Sequence, residues 1–150
     1  MIYIFIAAGI FVADWFIKDY IEKTKQFGKE EKIFNGNIIL NKYHNKGAML
    51  NFMDKNPNGV MIVSGAILGM IIVMFALLLP KKNNRVLKFG MSLLVGGALS
   101  NVIDRINKGY VVDYFSFKWL KKVIFNISDI FIFIGSVLIM ITSLFKADRY

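Results

Sequence analysis

Two aspartates, Asp113 and Asp129, lie on either side of a break between two strongly apolar stretches, residues 86–103 and 130–144. A carboxylate at the edge of the hydrocarbon core of a membrane costs roughly 2.5 to 3.5 kcal/mol, so acidic residues are rarely found there without a function. If the two stretches form antiparallel membrane helices, both carboxylates return to the same depth and can meet. The spacing therefore predicts an intramembrane acid/base pair.

Such a pair could carry out hydrolysis. Two carboxyl groups that lie close together at low dielectric cannot both ionise cheaply, so they share a proton and titrate in two separated steps. One carboxylate can then take a proton from water while its protonated partner donates to the scissile carbonyl. The reaction would pass through a tetrahedral gem-diol and would need no metal and no covalent intermediate.

The composition leaves little room for other catalytic chemistry. The chain has no cysteine, which excludes thiolate catalysis, disulfides and Cys-ligated metals. His44 is the single histidine, so zinc ligands are lacking and a Ser-His-Asp triad would depend on that one ring. His44 stands in a polar stretch and is predicted to be a loop residue. We therefore expect no metal site and no cofactor.

The composition is that of an integral membrane protein. Of 150 residues, 56% are hydrophobic, which leaves too few polar residues to coat a soluble globule. Residues 60–79 are uncharged and, at about 1.5 Å per residue, cross a hydrocarbon core of roughly 30 Å. Further spans are predicted at about 2–20, 86–106 and 126–145. We expect an all-α membrane protein with four transmembrane helices, forming one domain over residues 1–150.

A polar segment with short apolar runs, about residues 21–59, separates the first two spans. Within it, Asn35-Gly36 can supply the two positive φ values of a type I′ turn, which predicts a β-hairpin. Asn45-Lys46-Gly47-Ala48 predicts a turn whose Asn bonds to the backbone. The segment is expected to form a small extracytoplasmic β-sheet.

The first span contains two groups that are spaced to pair. Asp14 and Lys18 are i and i+4 neighbours on one helix face. The pair could be a snorkelling ion pair at the membrane interface, or it could shape a polar site at the far face of the membrane. Sequence alone leaves both interpretations open.

The third span has the densest set of polar groups. Gly97, Asn101 and Arg105 fall at i, i+4 and i+8, so they form one stripe that is predicted to face the helix bundle. Asp104 adjoins Arg105, and charges at this depth need partners. After the span, the chain is expected to run extended and carry Asp113 back toward the membrane surface.

The charge distribution favours one orientation in the membrane but does not settle it. Four Lys or Arg residues within 81–88 place this short loop in the cytoplasm, with both termini inside and the sheet outside. Simple counting would invert the topology, because residues 21–59 hold seven such residues and 105–122 hold five. We give the short loop more weight, since longer folded segments are translocated with less regard to charge. The net charge of +9 indicates anionic phospholipid partners and not nucleic acid, and the basic stretch 118–122 could either hold phospholipid headgroups or be a solvated flank.

Five short motifs in order make the chain resemble the lipoprotein signal peptidase (signal peptidase II) family, and the resemblance covers nearly its whole length. The motifs are Asp14-x-x-x-Lys18, Asn45-x-Gly47-Ala48, Gly96-Gly97-Ala98-x-x-Asn101-x-x-Asp104-Arg105, Val111-Val112-Asp113-Tyr114 and Phe125-Asn126-x-x-Asp129.

The resemblance implies a bacterial inner-membrane aspartyl endopeptidase whose active site faces the extracytoplasmic side. Its substrates would be prolipoproteins bearing diacylglycerol on a cysteine, cut just before that cysteine, and the enzyme is expected to be a monomer. The catalytic dyad would be Asp113 and Asp129. The positions that would shape and support the site are Asp14, Lys18, Asn45, Gly47, Asn101, Asp104, Arg105 and Asn126.

The chain departs from the family pattern at three positions. Ser128 stands where the family usually has alanine, and its hydroxyl could bond Asp129. Met49 and Leu50 replace the usual Ala-Phe and are expected to change which substrate residues fit. The alternative is a non-catalytic paralogue or a proton-coupled carrier, since intramembrane charges also mark ion pathways. A carrier predicts inverted repeats, and none is seen in the sequence.

Overall fold

The computed structural model describes residues 1–47 and 55–147. Each of the four predicted apolar spans falls on one α-helix, and a three-stranded sheet lies between them in sequence. The helices are α1 (Ile2–Thr24), α2 (Pro57–Leu78), α3 (Arg85–Lys108) and α4 (Ile127–Ala147). The strands are β1 (Glu31–Ile33), β2 (Ile38–Asn45) and β3 (Val111–Phe117).

Three of these helices, α2, α3 and α4, are long and apolar enough to cross a membrane within the described ranges. The protein is therefore a mostly helical membrane protein. The helix α1 has 23 residues but carries Asp14, Lys18 and Asp19 in its second half, which lowers its hydropathy. The predicted membrane fold is thus confirmed for three spans.

The helix α3 is the centre of the bundle and packs against α1, α2 and α4. Two adjacent glycines on α3 allow close approaches of α1 and α4. A Cβ on Gly96 would lie 2.6 Å from the backbone oxygen of Ala7, and a Cβ on Gly97 would lie 2.6 Å from that of Ser128. These distances are too short for any side chain, so each glycine brings a neighbouring helix backbone against α3.

The sheet is antiparallel, in the order β1-β2-β3. The predicted hairpin at Asn35-Gly36 is present, and both residues have positive φ. The two-residue type I′ turn is wrong, however, because Phe34 also has a φ of 50° and the strands already separate at Ile33 and Ile38. A short 3₁₀ turn, in which the N–H of residue 37 donates to the oxygen of Phe34 at 3.1 Å, closes the loop instead.

His44 lies on β2, so the prediction of a loop residue is wrong. The strand continues to Asn45 because residues 44 and 45 pair with β3. The His44 ring stacks on Tyr110 at 3.7 Å, and its Nε2 lies 3.0 Å from both carboxylate oxygens of Glu22. The ring therefore joins the sheet to the end of α1.

The connection from β3 to α4 turns back on the strand. Phe115 and Phe125 exchange two backbone hydrogen bonds, of 3.0 and 2.7 Å. This pairing returns the chain to the level of Asp113 just before α4 begins. The fifteen residues that separate the two aspartates in sequence therefore close into a compact loop.

Candidate active site

Asp113 lies on β3 and is almost fully buried, with 2% of its surface exposed. Its Oδ2 accepts a hydrogen bond from Nδ2 of Asn45 at 3.0 Å, and its Oδ1 accepts one from Nδ2 of Asn126 at 2.7 Å. Asn45 reaches the carboxylate because Tyr43, two residues earlier on β2, is the strand partner of Asp113. Side chains two residues apart on a strand share a face.

Asp129 lies in the first turn of α4. Its Oδ1 accepts a hydrogen bond from Nδ2 of Asn101 at 2.9 Å, and its Oδ2 accepts one from the backbone N–H of Asn126 at 3.0 Å. Asn126 therefore binds both aspartates, one through its side chain and the other through its backbone. We call Asp113 and Asp129 the dyad.

Burial and the charge of Asp129 raise the pKa of Asp113 to about 7, although the hydrogen bonds from Asn45 and Asn126 oppose the shift. Burial is the largest of these effects, since a charged carboxylate loses its hydration in the protein interior. Asp113 therefore retains a proton at pH values where an exposed aspartate is fully ionised. A carboxylic acid of this kind can act as a general acid near neutral pH.

A buried cluster of charges lies beside the dyad. Lys18 is 1% exposed, and its Nζ lies 2.8 Å from Asp14 and 3.2 Å from Asp104. Lys108 completes the cluster with a 2.8 Å contact to Asp104. The cluster contains two positive and two negative charges, so each buried charge in it has a partner of opposite sign. The pairing of Asp14 with Lys18 is confirmed, and full burial excludes a snorkelling interfacial pair.

Asn101 connects this cluster to the dyad. Its Oδ1 accepts hydrogen bonds from Nζ of Lys18 at 2.9 Å and from Nδ2 of Asn126 at 3.1 Å, while its Nδ2 donates to Asp129. The two acceptor contacts fix which end of the amide carries oxygen. The amide nitrogen is thereby directed at Asp129.

Asp104 also supports the strand that carries the dyad. Its Oδ2 accepts a hydrogen bond from the backbone N–H of Val112 at 3.2 Å, one residue before Asp113. The start of β3 is therefore tied to α3 through a charged group that Lys18 and Lys108 neutralise.

Arg105 supports the chain at the end of β2. Its Nη2 donates to the backbone oxygen of Gly47 at 2.9 Å and its Nη1 to that of Asn101 at 3.3 Å. Asn45 accepts the N–H of Gly47 at 3.1 Å, so the predicted bond from this Asn to the turn backbone is confirmed. Met49 and Leu50, for which an effect on substrate fit is predicted, lie outside the described residues.

Three residues near the dyad have roles that differ from the prediction or were not predicted. The Ser128 hydroxyl donates to Asp14 at 2.6 Å, so the predicted bond to Asp129 is wrong, because Oγ points toward α1. Ser100 and Tyr114 also donate to Asp14, at 2.6 and 3.1 Å. A helical periodicity could have indicated Ser100, since it lies four residues before Asp104.

The chain is similar in sequence to proteins of a known family. A family model described as Signal peptidase (SPase) II matches residues 6–145 of the chain. The lipoprotein signal peptidase of Clostridium tetani is 32% identical over 151 residues, covering 98% of this chain and 94% of the relative. That of Lactococcus lactis is 34% identical over 141 residues, covering 94% and 91%.

The fold is shared with a solved protein as well. A structure described as a bacterial membrane enzyme superposes with a TM-score of 0.84 at 28% identity, covering 98% of this chain and 90% of that one. Signal peptidase II is a protease, and thus a hydrolase. The chain belongs to the signal peptidase II family.

Proposed function

We propose that Asp113 and Asp129 are the catalytic dyad of an aspartyl endopeptidase that removes signal peptides from prolipoproteins. Cleavage falls just before a cysteine that carries diacylglycerol. The observation that carries this proposal is the placement of Asn126, which binds one carboxylate through its side chain and the other through its backbone. The charge of Asp129 also acts on Asp113, which supports a pair that shares a proton and a water molecule.

The mechanism follows from the shared proton. One carboxylate takes a proton from the attacking water while the protonated carboxyl donates to the carbonyl oxygen of the scissile peptide. The product of this step is a tetrahedral gem-diol. Collapse of that species returns a proton to the leaving amine and restores the singly protonated dyad. A site complementary to the gem-diol accelerates the reaction because it binds that species better than the planar peptide.

The amides hold the dyad in the geometry that this chemistry needs. Asn45 and Asn126 direct Asp113, and Asn101 directs Asp129. Each donates an N–H and leaves the remaining lone pairs of the carboxylates available to water. Lys18, which Asp14 and Asp104 hold in place, donates to the Asn101 amide. Arg105 donates to the backbone oxygen of Gly47 and so supports the end of β2.

The membrane supplies the orientation of the substrate. The acyl chains of a lipidated cysteine remain in the bilayer, which fixes the scissile bond near the headgroup level. Holding the reacting groups in place in this way can account for a large part of a rate enhancement. A lipid-anchored substrate therefore suits a dyad that lies where strand β3 meets the first turn of α4.

The same proposal includes the arrangement in the cell membrane. The helix α1 is the fourth span, with Asp14 and Lys18 buried in the bundle, and the basic loop at 81–88 lies in the cytoplasm. The dyad and the sheet then face the extracytoplasmic side. Exposed Trp119 and the lysines around it contact phospholipid headgroups at that level. The proposal keeps the expected monomer.

The test is cleavage of a diacylglyceryl prolipoprotein by the purified protein in lipid, with a metal chelator present. We expect Asp113→Asn and Asp129→Asn each to abolish cleavage while the variants keep the thermal unfolding of the wild type. Asp19→Asn is the matched control, because Asp19 is an exposed aspartate that pairs with Lys23 on α1. Cleavage by either dyad variant at the wild-type rate contradicts the proposal.

The orientation in the membrane can be tested by labelling single introduced cysteines, because the chain has no cysteine of its own. A membrane-impermeant maleimide should label Lys121→Cys in intact cells and Lys82→Cys only after lysis. The reverse labelling pattern would place the dyad on the cytoplasmic side.

A further inference from the structure

Asp14 is fully buried on α1 and accepts hydrogen bonds from a sequence neighbour of each dyad residue. The hydroxyl of Ser128, next to Asp129, donates to its Oδ2 at 2.6 Å. The hydroxyl of Tyr114, next to Asp113, donates to its Oδ1 at 3.1 Å. One carboxylate on α1 is thus bonded to both chain segments that carry the dyad.

The Tyr114 hydroxyl also joins those two segments directly. While it donates to Asp14, it accepts the backbone N–H of Ile127, the first residue of α4, at 3.0 Å. Burial and the charge of Asp14 raise the pKa of Tyr114, so the phenol stays protonated and remains a donor. The hydroxyl therefore has a defined direction and connects α1, β3 and α4.

We infer that Asp14 is a positioning residue that sets the separation of the two dyad carboxylates. Asp14 acts on β3 through the Tyr114 hydroxyl and on α4 through the Ser128 hydroxyl. This inference rests on the proposed function, because it concerns the geometry of the proposed dyad. Asp14 itself is bonded to neither dyad carboxylate among the hydrogen bonds of the described residues.

Asp14 can set the separation of the dyad because its hydrogen bonds join elements that are far apart in the sequence. Tyr114 is 100 residues from Asp14 and Ser128 is 114 residues from it, so these contacts cross between elements that the local chain does not hold together. The helix α1 is a rigid support, and Lys18 and Ser100 hold the Asp14 carboxylate in place on it, at 2.8 and 2.6 Å. Losing the hydroxyl of Tyr114 or of Ser128 removes the bond that holds one of the two dyad-bearing segments to Asp14.

Two substitutions test the inference without changing any charge. Ser128→Ala and Tyr114→Phe each remove one hydroxyl and leave Asp14 with other donors. In the cleavage assay we expect each to lower kcat about tenfold, with KM within about twofold of the wild type, because a misplacement of about 1 Å can cost up to a hundredfold. Groups that act as a unit are not additive, so the double variant should lose about tenfold rather than a hundredfold.

The controls are the same substitutions at hydroxyls that do not touch Asp14. Ser92 is as buried as Ser128, and its hydroxyl donates to the backbone oxygen of Phe89 at 2.7 Å. The hydroxyl of Tyr110 lies 3.5 Å from Glu22 and is bonded to neither Asp14 nor a dyad carboxylate among the hydrogen bonds of the described residues. Ser92→Ala and Tyr110→Phe should keep kcat within about twofold of the wild type.

The pH dependence of cleavage distinguishes a positioning role from a general loss of stability. If the carboxylates move apart, the charge of Asp129 acts less strongly on Asp113, and the fall of activity at high pH should begin at a lower pH in both variants. Values of kcat equal to those of the controls, or single effects that multiply in the double variant, would overturn the inference. Asp113→Asn, run beside them, tests the dyad separately, since cleavage by that variant would overturn the proposed function whatever the hydroxyl variants do.

Discussion

Asn126 and Asp129 cap each other across the first turn of α4. The side-chain oxygen of Asn126 accepts the backbone N–H of Asp129, and the carboxylate of Asp129 accepts the backbone N–H of Asn126, both at 3.0 Å. This reciprocal pattern is a capping box, in which the residue before a helix and its third residue satisfy each other's donors. The start of the helix and the direction of a dyad carboxylate therefore depend on the same two bonds.

The capping box leads to a prediction at Asn126. Asn126→Ala should lower the free energy of unfolding by about 1–2 kcal/mol, as loss of a helix cap does. It should also reduce cleavage on the order of a hundredfold, because Asp113 and Asn101 lose the same amide. Thermal unfolding and the cleavage assay measure the two effects.

Asn56→Ala is the matched control for this prediction. Asn56 caps α2 in the same way, with its side chain accepting the N–H of Gly59 at 3.0 Å. Its loss should give a similar decrease in stability with cleavage retained. Equal losses of cleavage in the two variants would mean that the Asn126 effect comes from stability alone.

The raised pKa of Asp113 predicts the dependence of cleavage on pH. Below about pH 7 Asp113 keeps its proton and can act as the acid, while above it both carboxylates become ionised and the acid is lost. Activity should therefore fall as the pH rises through about 7. It should also fall in acid, where the second carboxyl becomes protonated and no base remains. Initial cleavage rates from pH 4 to 9 measure the profile, and a flat line from pH 4 to 8 would contradict a shared proton.

The buried charge cluster predicts unequal effects of two similar lysines on α1. Lys18→Met leaves two buried carboxylates without their shared partner and should destabilise the protein by about 3–5 kcal/mol. Lys23 makes the same i,i+4 contact with Asp19, but its side chain is 71% exposed. Lys23→Met should therefore cost about 0–1 kcal/mol. Unfolding midpoints in one lipid or detergent measure both, and comparable shifts would argue against a buried cluster.

The close approach of α3 and α4 predicts sensitivity at Gly97. A Cβ there would lie 2.6 Å from the oxygen of Ser128 and 2.9 Å from Cγ1 of Ile132, so Gly97→Ala must push α4 outward. We expect a destabilisation of about 1–3 kcal/mol, together with reduced cleavage because Asp129 moves with α4. Gly9→Ala is the control, since a Cβ on Gly9 meets no atom within 4 Å. It should be neutral or stabilising by up to about 1 kcal/mol. Wild-type cleavage and stability in Gly97→Ala would show that the helices can separate without consequence.

Local spacing and composition were sufficient for several features. The apolar runs predicted the positions of all four helices, and three of these are apolar enough to cross a membrane, because hydrocarbon selects long segments with few charges. The i,i+4 spacing of Asp14 and Lys18 predicted their pairing, since helix geometry alone brings such side chains together. The types and positions of Asp113 and Asp129 predicted a catalytic dyad, and the cleavage assay is its test.

The tertiary structure decided which distant groups meet. The way in which α1 and α4 pack on α3 directs the Ser128 hydroxyl to Asp14 instead of Asp129. The periodicity within one helix cannot predict how that helix is rotated against its neighbours. The third strand joins β2 only because α3 returns the chain to the sheet, and Tyr114 reaches Asp14 for the same reason. Contacts between residues about 100 positions apart depend on how whole elements pack, whereas sequence patterns report only the periodicity within each element.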